Sequence, residues 1–271
     1  MKQRVISAVV CIAITLAMIL LSTWTRVLFF IVLSIMACKE MKDALEKLDY
    51  HVVSWPIYAV SIVCSALIAI QKSGYAFPVF LLIMLLLFTQ LIMLKNIGVR
   101  DVLATFAVCA YPLSPLMVIT YIAKSELLWA AVLLNAIMPA VMADTFALFG
   151  GKAFGKHKLC PDISPKKTVE GVVGGVVLNI LVALLYAWLY VLYCKGACRV
   201  HYGYVALLAL LAAPVSVLGD LSFSLLKRSV QIKDFGTLIP GHGGMLDRFD
   251  SVIFVAPFAY LFAHFLPLVT R

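Results

Sequence analysis

Long apolar runs dominate this sequence and constrain its fold more than any other feature. A membrane-spanning helix needs about 20 predominantly apolar residues, with a range of about 17 to 25. A chain that is 64% hydrophobic and 13% charged, with a mean hydropathy of +1.06, cannot bury this much apolar surface as a soluble protein. We therefore predict an all-α, polytopic membrane bundle with nine spans: Val5–Leu21, Trp24–Cys38, Val53–Ile70, Tyr75–Leu94, Val102–Ala123, Leu127–Phe149, Val172–Cys194, Tyr204–Leu226 and Val252–Val269.

The first two runs leave the number of spans open. Trp24–Cys38 is short and begins beside Arg26, so a tilted or interfacial segment would leave eight spans. The run before it follows two basic residues, as in a signal peptide, but no small-residue cleavage site follows, which favours an uncleaved helix. Polar residues within spans are concentrated in the C-terminal half. We therefore divide the chain into N-terminal helices (1–123) and a catalytic region (124–271) of one integral membrane unit.

Basic residues are distributed unevenly between the predicted loops. With nine spans, 16 of the 22 Lys and Arg residues fall on the side of the N-terminus and 6 on the other. Cytoplasmic loops are enriched in Lys and Arg, so we place the first side in the cytoplasm. This bias explains the net charge of +9 without nucleic acid, and anionic lipid and nucleotide are the expected partners. The two most polar loops, Gly150–Gly171 and Lys227–Asp250, then both face the cytoplasm.

Two other features have mainly structural interpretations. The segment Lys39–His51 alternates charged and apolar residues at helical spacing, which predicts a short amphipathic cytoplasmic helix or a solvated connector. Seven cysteines form no CxxC pair or Cys/His cluster, so a zinc or redox site is not expected. Cys194 and Cys198 flank one short loop, and they could form a disulfide if that loop faces an oxidising compartment.

Acidic residues at membrane depth are the first indication of function. Asp144 lies near the cytoplasmic end of the sixth run and Asp220 lies in the eighth. An ionisable residue at this depth costs about 2.5 to 3.5 kcal/mol, so it usually marks a site. In the eighth run, Ser216, Asp220, Ser224 and Lys227 share one helical face. A packing seam of small residues would explain the serines but not the aspartate.

The loop that follows the eighth run combines carboxylates, basic residues and glycines. Asp247 and Asp250 are three residues apart, so they would share a helical face. Carboxylates hold Mg²⁺ together with substrate phosphates, and cations neutralise charge on a transferred phosphoryl group. The glycines allow close backbone approach and positive φ. This combination predicts polyphosphate chemistry, and its other members are Lys227, Arg228, Lys233, Arg248, His242, Gly241, Gly243 and Gly244.

The loop after the sixth run adds further positive charge. Ser164-Pro165 predicts a helix start, with serine as N-cap and proline as the first helical residue. Lys166 and Lys167 would then project from a helix N-terminus, which favours an anion. A basic loop that binds lipid headgroups is the alternative. Gly171 and Gly175 are predicted to serve helix packing rather than catalysis.

These two loops resemble the motifs of the phosphatidate cytidylyltransferases. In the later loop the resemblance covers Lys227-Arg228, Lys233-Asp234, Pro240–Gly244 and Asp247–Ser251. In the earlier loop it covers Asp144-Thr145, Gly150-Gly151, Phe154-Gly155-Lys156, Ser164–Thr168 and Glu170-Gly171. No charged position departs from the family pattern. The upstream spans agree with the family only in hydropathy and length.

The resemblance implies a reaction, a cofactor and a set of roles. It implies that cytidylyl transfer from CTP to phosphatidic acid yields CDP-diacylglycerol and pyrophosphate. It also implies a bacterial inner-membrane enzyme, often dimeric, that requires Mg²⁺ and a second cation such as K⁺. By the same analogy the metal ligands are Asp220 and Asp247, with Asp250 and Asp144 as further candidates. Phosphate binding would fall to Lys166, Lys167, Lys227, Arg228 and Arg248, and the nucleotide pocket to His242, Gly243 and Gly244.

Three alternatives remain at this stage. Another CTP-dependent lipid enzyme, such as a cytidylyltransferase for an unusual lipid or a polyprenol kinase, would differ in its acceptor. An ion-coupled transporter also uses buried aspartates, but it would be expected to carry repeats or midplane charge. A structural lipid-binding protein would not need both Asp220 and Asp247.

Overall fold

The computed structural model describes residues 22–93, 97–125, 147, 150–152, 154–195, 198–238 and 243–270. The predicted span Val5–Leu21 and most of Leu127–Phe149 lie outside these residues. The chain forms two compact units, Met1–Ser125 with Ser229–Phe249 and Glu126–Arg228 with Asp250–Arg271. The division at residues 123 and 124 that we drew from the sequence stays a prediction.

In the N-terminal part of the first unit, the described residues form four helices. They are α1 (Thr23–Glu46), α2 (Ser54–Ala69), α3 (Ala76–Met93, after a 3₁₀ turn at Ser73–Tyr75) and α4 (Val99–Lys124). Both α2 and α4 contain a π-helical turn, Val60–Cys64 and Cys109–Leu113 respectively. The turn in α4 includes Pro112, which has no N–H to donate to the regular helical ladder.

Helix α1 begins at a capping box and continues further than expected. The Ser22 hydroxyl accepts from the Thr25 backbone N–H at 3.2 Å, and the Thr25 hydroxyl oxygen accepts from the Ser22 N–H at 2.9 Å. The predicted short helix over Lys39–His51 is wrong as a separate element, because α1 continues unbroken to Glu46. Arg26 does not snorkel outward: it is buried, and its Nε donates to the Ala123 carbonyl at the end of α4.

The described residues of Glu126–Arg228, in the second unit, include two long helices and a hairpin. Its elements are β1 (Lys158–Cys160), β2 (Ser164–Thr168), α5 (Val169–Tyr193), β3 (Arg199–Val200), α6 (Tyr202–Ser229) and β4 (Val269–Thr270). Helix α7 (Leu246–Phe265) carries the chain from the first unit into the second. The strands form two antiparallel pairs, β1 with β2 and β3 with β4. Cys194 has a free thiol, so it forms no disulfide with Cys198.

Helix α5 has one face of small buried residues. Gly171, Gly175, Asn179, Ala183 and Ala187 recur every four residues and are buried. The Asn179 side-chain amide donates to the Ala209 carbonyl of α6 at 2.7 Å, so this face meets α6. Gly171 and Gly175 are buried on this face, which agrees with the packing role predicted for them.

The predicted helix start at Ser164-Pro165 is wrong. Ser164–Thr168 is strand β2, which pairs with β1 through Lys158↔Thr168 and Cys160↔Ser164. Helix α5 begins only at Val169, and the Thr168 hydroxyl caps it by accepting the Gly171 N–H at 3.2 Å. Pairing with β1 therefore overrides the local capping signal.

The membrane character of the chain is confirmed, and the number of spans is not. Among the residues that the structure describes, four helices are long and apolar enough to cross a membrane: Ser73–Gln90, Val99–Lys124, Val169–Tyr193 and Tyr202–Ser229. The count of nine, or eight, exceeds what these helices support. The all-α class holds, since the strands are short accessories to the helices.

Candidate active site

Two carboxylates meet where α6 and α7 approach each other closely in the second unit. Gly219 lies on α6 next to Asp220, and a Cβ at Gly219 would lie 2.8 Å from the Asp250 carbonyl oxygen. The same Cβ would lie 3.1 Å from the Phe254 Cβ, which is also tighter than normal packing. Only glycine allows this separation of the two backbones. The contact brings Asp220 of α6 beside Asp250 of α7.

Asp250 precedes the apolar stretch of α7, and its pKa is strongly shifted. Asp250 is buried, with 8% of its surface exposed. Burial, and next the neighbouring charge of Asp220, raise the pKa of Asp250 to about 7. The Ser251 N–H and the charge of Lys227 act in the opposite direction, and the two carboxyl groups hydrogen-bond to each other. Burial and the adjacent carboxylate therefore disfavour the ionised form of Asp250 near neutral pH.

Lysine residues flank the carboxylate pair. Lys167 of β2 places its Nζ 2.6 Å from Asp220 Oδ2, and the two side chains are 16% and 26% exposed. Lys227, in the last turn of α6, acts on Asp250 through its charge. We call Lys167, Asp220, Lys227 and Asp250 the Asp220 cluster. Its alternating charges match the pattern needed to hold a metal ion and phosphate oxygens together.

The β1–β2 hairpin fixes the approach of Lys167. Glu170 in the first turn of α5 accepts the backbone N–H groups of Lys156 and His157 at 3.1 and 3.2 Å. The His157 ring lies 2.6 Å from the same carboxylate. Gly155 packs so closely against Thr168 that a Cβ there would lie 2.6 Å from the threonine methyl group. The hairpin is therefore tied to the helix that follows it.

Asp247 lies in the first unit, where its side chain accepts hydrogen bonds from the segment that precedes α7. We call the described residues 230–238 and 243–247 the Asp247 loop. Asp247 is 8% exposed, and its Oδ2 accepts the N–H groups of Phe235 at 2.8 Å and Gly244 at 3.0 Å. Gly243 has φ +85°, and a Cβ there would lie 2.9 Å from Asp247 Oδ2. The expectation that a glycine here adopts positive φ is confirmed at Gly243.

Glu40 is a buried carboxylate next to Asp247, and the sequence analysis assigned it no role. It lies on α1, is 9% exposed, and accepts backbone N–H groups at the start of α7. A signal existed, because Glu40 falls on the same helical face as Leu33, Ala37 and Ala44. An acidic residue on the apolar face of a helix indicates a buried partner.

The structure places the remaining predicted residues in three ways. Lys167, Asp220, Lys227 and Asp250 come together, whereas Lys166, Arg228 and Arg248 are exposed. Asp144 and His242 lie outside the described residues. Over the described part of the chain, no group of three or more His, Cys, Asp or Glu side chains is arranged to hold a metal ion. The metal-ligand and phosphate-binding roles therefore stay predictions.

The fold and the cluster define a helical membrane protein with paired carboxylates and lysines at the ends of apolar helices. Comparison with known proteins makes this more specific. Residues 2–266 match the sequence model of the cytidylyltransferase family. The chain belongs to the cytidylyltransferase family.

Individual relatives agree with this assignment. A phosphatidate cytidylyltransferase of Staphylococcus aureus (strain COL) is 32% identical over 95% of this chain and 96% of its own length. One from Bacillus subtilis (strain 168) is 44% identical over 43% of this chain. One from Rickettsia bellii (strain RML369-C) is 37% identical over 49% of this chain. The chain covers less than two thirds of the last two relatives, 41% and 56% of their lengths.

Proposed function

We propose that this protein transfers the cytidylyl group of CTP to phosphatidic acid. The products are CDP-diacylglycerol and pyrophosphate. Membership of the cytidylyltransferase family and the names of the relatives support this assignment. The observation that carries it is the Lys167–Asp220 ion pair beside the buried Asp250. It supplies the mixture of charges that a transferring phosphoryl group needs.

The reaction needs positioning and charge neutralisation more than a base. A phosphate oxygen of phosphatidic acid attacks the α-phosphorus of CTP, the new P–O bond forms, and the bond to the leaving pyrophosphate breaks. The attacking oxygen is already an oxyanion near neutral pH, so no proton has to be removed. Lys167 and Lys227 neutralise phosphate charge as it shifts toward the leaving group.

The donor set of the Asp220 cluster fits Mg²⁺. Asp220 and Asp250 are two adjacent carboxylates, and Mg²⁺ typically uses one or two carboxylates together with water and substrate phosphates. The raised pKa of Asp250 fits a position where a cation compensates like charges. When bound, the ion supplies Lewis-acid stabilisation of phosphate charge. Asp247 and Asp144 are further proposed ligands, and a second cation such as K⁺ belongs to the same proposal.

The other site residues are assigned to substrate binding. Lys166, Arg228 and Arg248 are exposed, so they are available to phosphates of CTP and lipid. His242, Gly243 and Gly244 are proposed to shape the nucleotide pocket. The active site is proposed to face the cytoplasm from a bacterial inner membrane, on the basis of the excess of Lys and Arg counted with nine predicted spans. We also propose that the protein forms a homodimer.

Incorporation of radiolabelled CTP into phosphatidic acid by the purified full-length protein tests this function. We expect Mg²⁺-dependent formation of CDP-diacylglycerol, with D220N and D247N each abolishing turnover. Asp49 is exposed and has φ 58°, a conformation that asparagine also tolerates, so D49N is the matched control and should retain activity. Well-folded protein without incorporation would refute the proposal. Labelled product with a different lipid acceptor, or phosphorylated polyprenol, would indicate the related CTP-dependent enzymes instead.

A further inference from the structure

Glu40 binds the start of α7 from a helix that lies far away in the sequence. Its Oε1 accepts the Met245 N–H at 2.8 Å and its Oε2 accepts the Leu246 N–H at 2.7 Å. The two partners are separated from Glu40 by 205 and 206 residues. The first N–H groups of a helix have no partner within that helix, so they must be satisfied from outside. Glu40 therefore caps the N-terminus of α7.

The same carboxylate also contacts two separate glycines of the segment between α6 and α7. A Cβ at Gly236 would lie 2.6 Å from Glu40 Oε1, and a Cβ at Gly244 would collide with Glu40 Oε2. The loop backbone thus encloses the carboxylate at two points that are eight residues apart in sequence. Both glycines are needed for this approach, because any side chain would displace Glu40.

Asp247 binds the loop at points adjacent to those of Glu40. Asp247 accepts from Phe235 and Gly244, whereas Glu40 contacts Gly236 and Gly244 and accepts from Met245. The two carboxylates therefore hold the same stretch of backbone between them. A displacement of Glu40 would therefore act on the backbone that donates to Asp247.

Burying the Glu40 carboxylate costs more free energy than an uncharged helix cap would. Burial raises the pKa of Glu40, and the charges of Asp247 and Asp43 raise it further, against the lowering effect of the two N–H groups. A serine or threonine just before the helix would cap α7 without burying a charge. That position is occupied by Met245, which has no capping oxygen. Glu40 therefore supplies the acceptor oxygens that Met245 cannot.

We propose that Glu40 is a positioning residue that fixes the Asp247 loop and, through it, the orientation of Asp247. It acts from the N-terminal part of the chain, in which no sequence motif of the site lies. Its effect on turnover rests on the proposed function, but its effect on the loop does not. Two measurements on the full-length protein separate these effects.

The first measurement is amide hydrogen exchange of residues 243–247 in E40Q. Glutamine keeps the size of the side chain but replaces one acceptor oxygen by a donor, which faces a backbone N–H. We expect exchange in this segment to accelerate at least tenfold. Glu46 lies on the same helix and is exposed, so E46Q is the matched control and should exchange like the wild type. E40D, which keeps the charge, should fall between the two.

The second measurement is the Mg²⁺ dependence of cytidylyl transfer. Because the loop orients Asp247, we expect the Mg²⁺ concentration for half-maximal activity to rise about tenfold in E40Q and less in E40D. Wild-type exchange in E40Q overturns the proposal. Faster exchange with an unchanged Mg²⁺ dependence and turnover also overturns it, because the loop would then not act on Asp247. A wild-type protein without cytidylyl transfer refutes the proposed function alone, and the exchange data still decide the role of Glu40 in the loop.

Discussion

Replacing Gly219 by alanine tests whether the contact between α6 and α7 builds the carboxylate pair. The added Cβ would lie 2.8 Å from the Asp250 carbonyl oxygen, whereas ordinary contacts lie at 3.4–4 Å. The helices must therefore separate by about 0.6 Å at this point, because protein interiors have little free space to absorb the methyl group. Phe254 and Ser251, each about 3.1 Å from the same Cβ, leave no alternative direction.

The expected magnitude follows from this displacement. Overpacking of a tight contact costs about 1–3 kcal/mol, which corresponds to a fall in Tm of several degrees. Misplacement of a reacting group by about 1 Å can reduce the rate about a hundredfold, so a smaller shift predicts a loss of roughly tenfold or more. We expect G219A to show both effects.

Thermal unfolding in detergent and the cytidylyl-transfer assay measure the two effects separately. Gly203 is the matched control, because it lies on the same helix α6 and a Cβ there meets nothing within 4 Å. G203A should be at least as stable as the wild type, since alanine has a higher helix propensity than glycine. If G219A keeps wild-type Tm and activity, the proposed role of the close contact is refuted.

Three further changes test Lys167, the start of α5 and the orientation of the chain in the membrane. K167Q removes the ion pair with Asp220, so turnover should fall at least about tenfold; unchanged turnover would exclude Lys167 from the site. T168A removes the N-cap of α5 and should cost about 1 kcal/mol, measured as a lower Tm in detergent; an unchanged Tm would mean that another group caps the helix. A cysteine at position 233 should resist impermeant thiol reagents added outside intact cells, and efficient labelling would reverse the predicted topology.

The helices could be predicted from the sequence because they follow local hydropathy. The run Tyr204–Leu226 corresponds to α6 at Tyr202–Ser229, and Val172–Cys194 corresponds to α5 at Val169–Tyr193. The polar face of α6 was also predictable from its spacing, and Ser216 on that face is buried. In each case the information lies within one turn or one helix.

Features that depend on distant contacts could not be predicted in this way. Ser164-Pro165 satisfies the rules for a helix start, but proline is also tolerated in a short edge strand, and pairing with β1 decides between them. The role of Glu40 depends on backbone groups more than 200 residues away. The closeness of Asp220 and Asp250 depends on Gly219, whose significance appears only when α7 packs against it.

The carboxylate pair itself should reduce the stability of the protein when no metal ion is bound. The pKa of Asp250 is raised in the folded protein from its ordinary value of 3.8 to about 7, so the folded state binds a proton more tightly than the unfolded state. Stability is therefore lost as the pH rises from about 4 to about 7, and above that range the penalty is on the order of 4 kcal/mol. At pH 8 with EDTA, D250N should therefore have a higher Tm than the wild type, and at pH 4 this difference should disappear.

Function is the reason to retain a destabilising aspartate at this position. D250N should lose activity while it gains stability, because the carboxylate is proposed to bind Mg²⁺ with Asp220. Ligands that bind only the folded state stabilise it by an amount that grows with their affinity, so Mg²⁺ should raise the Tm of the wild type more than that of D250N. D49N is again the control and should respond to Mg²⁺ as the wild type does. If D250N is less stable than the wild type in EDTA at pH 8, Asp250 is a structural residue and not a site held ready for a cation.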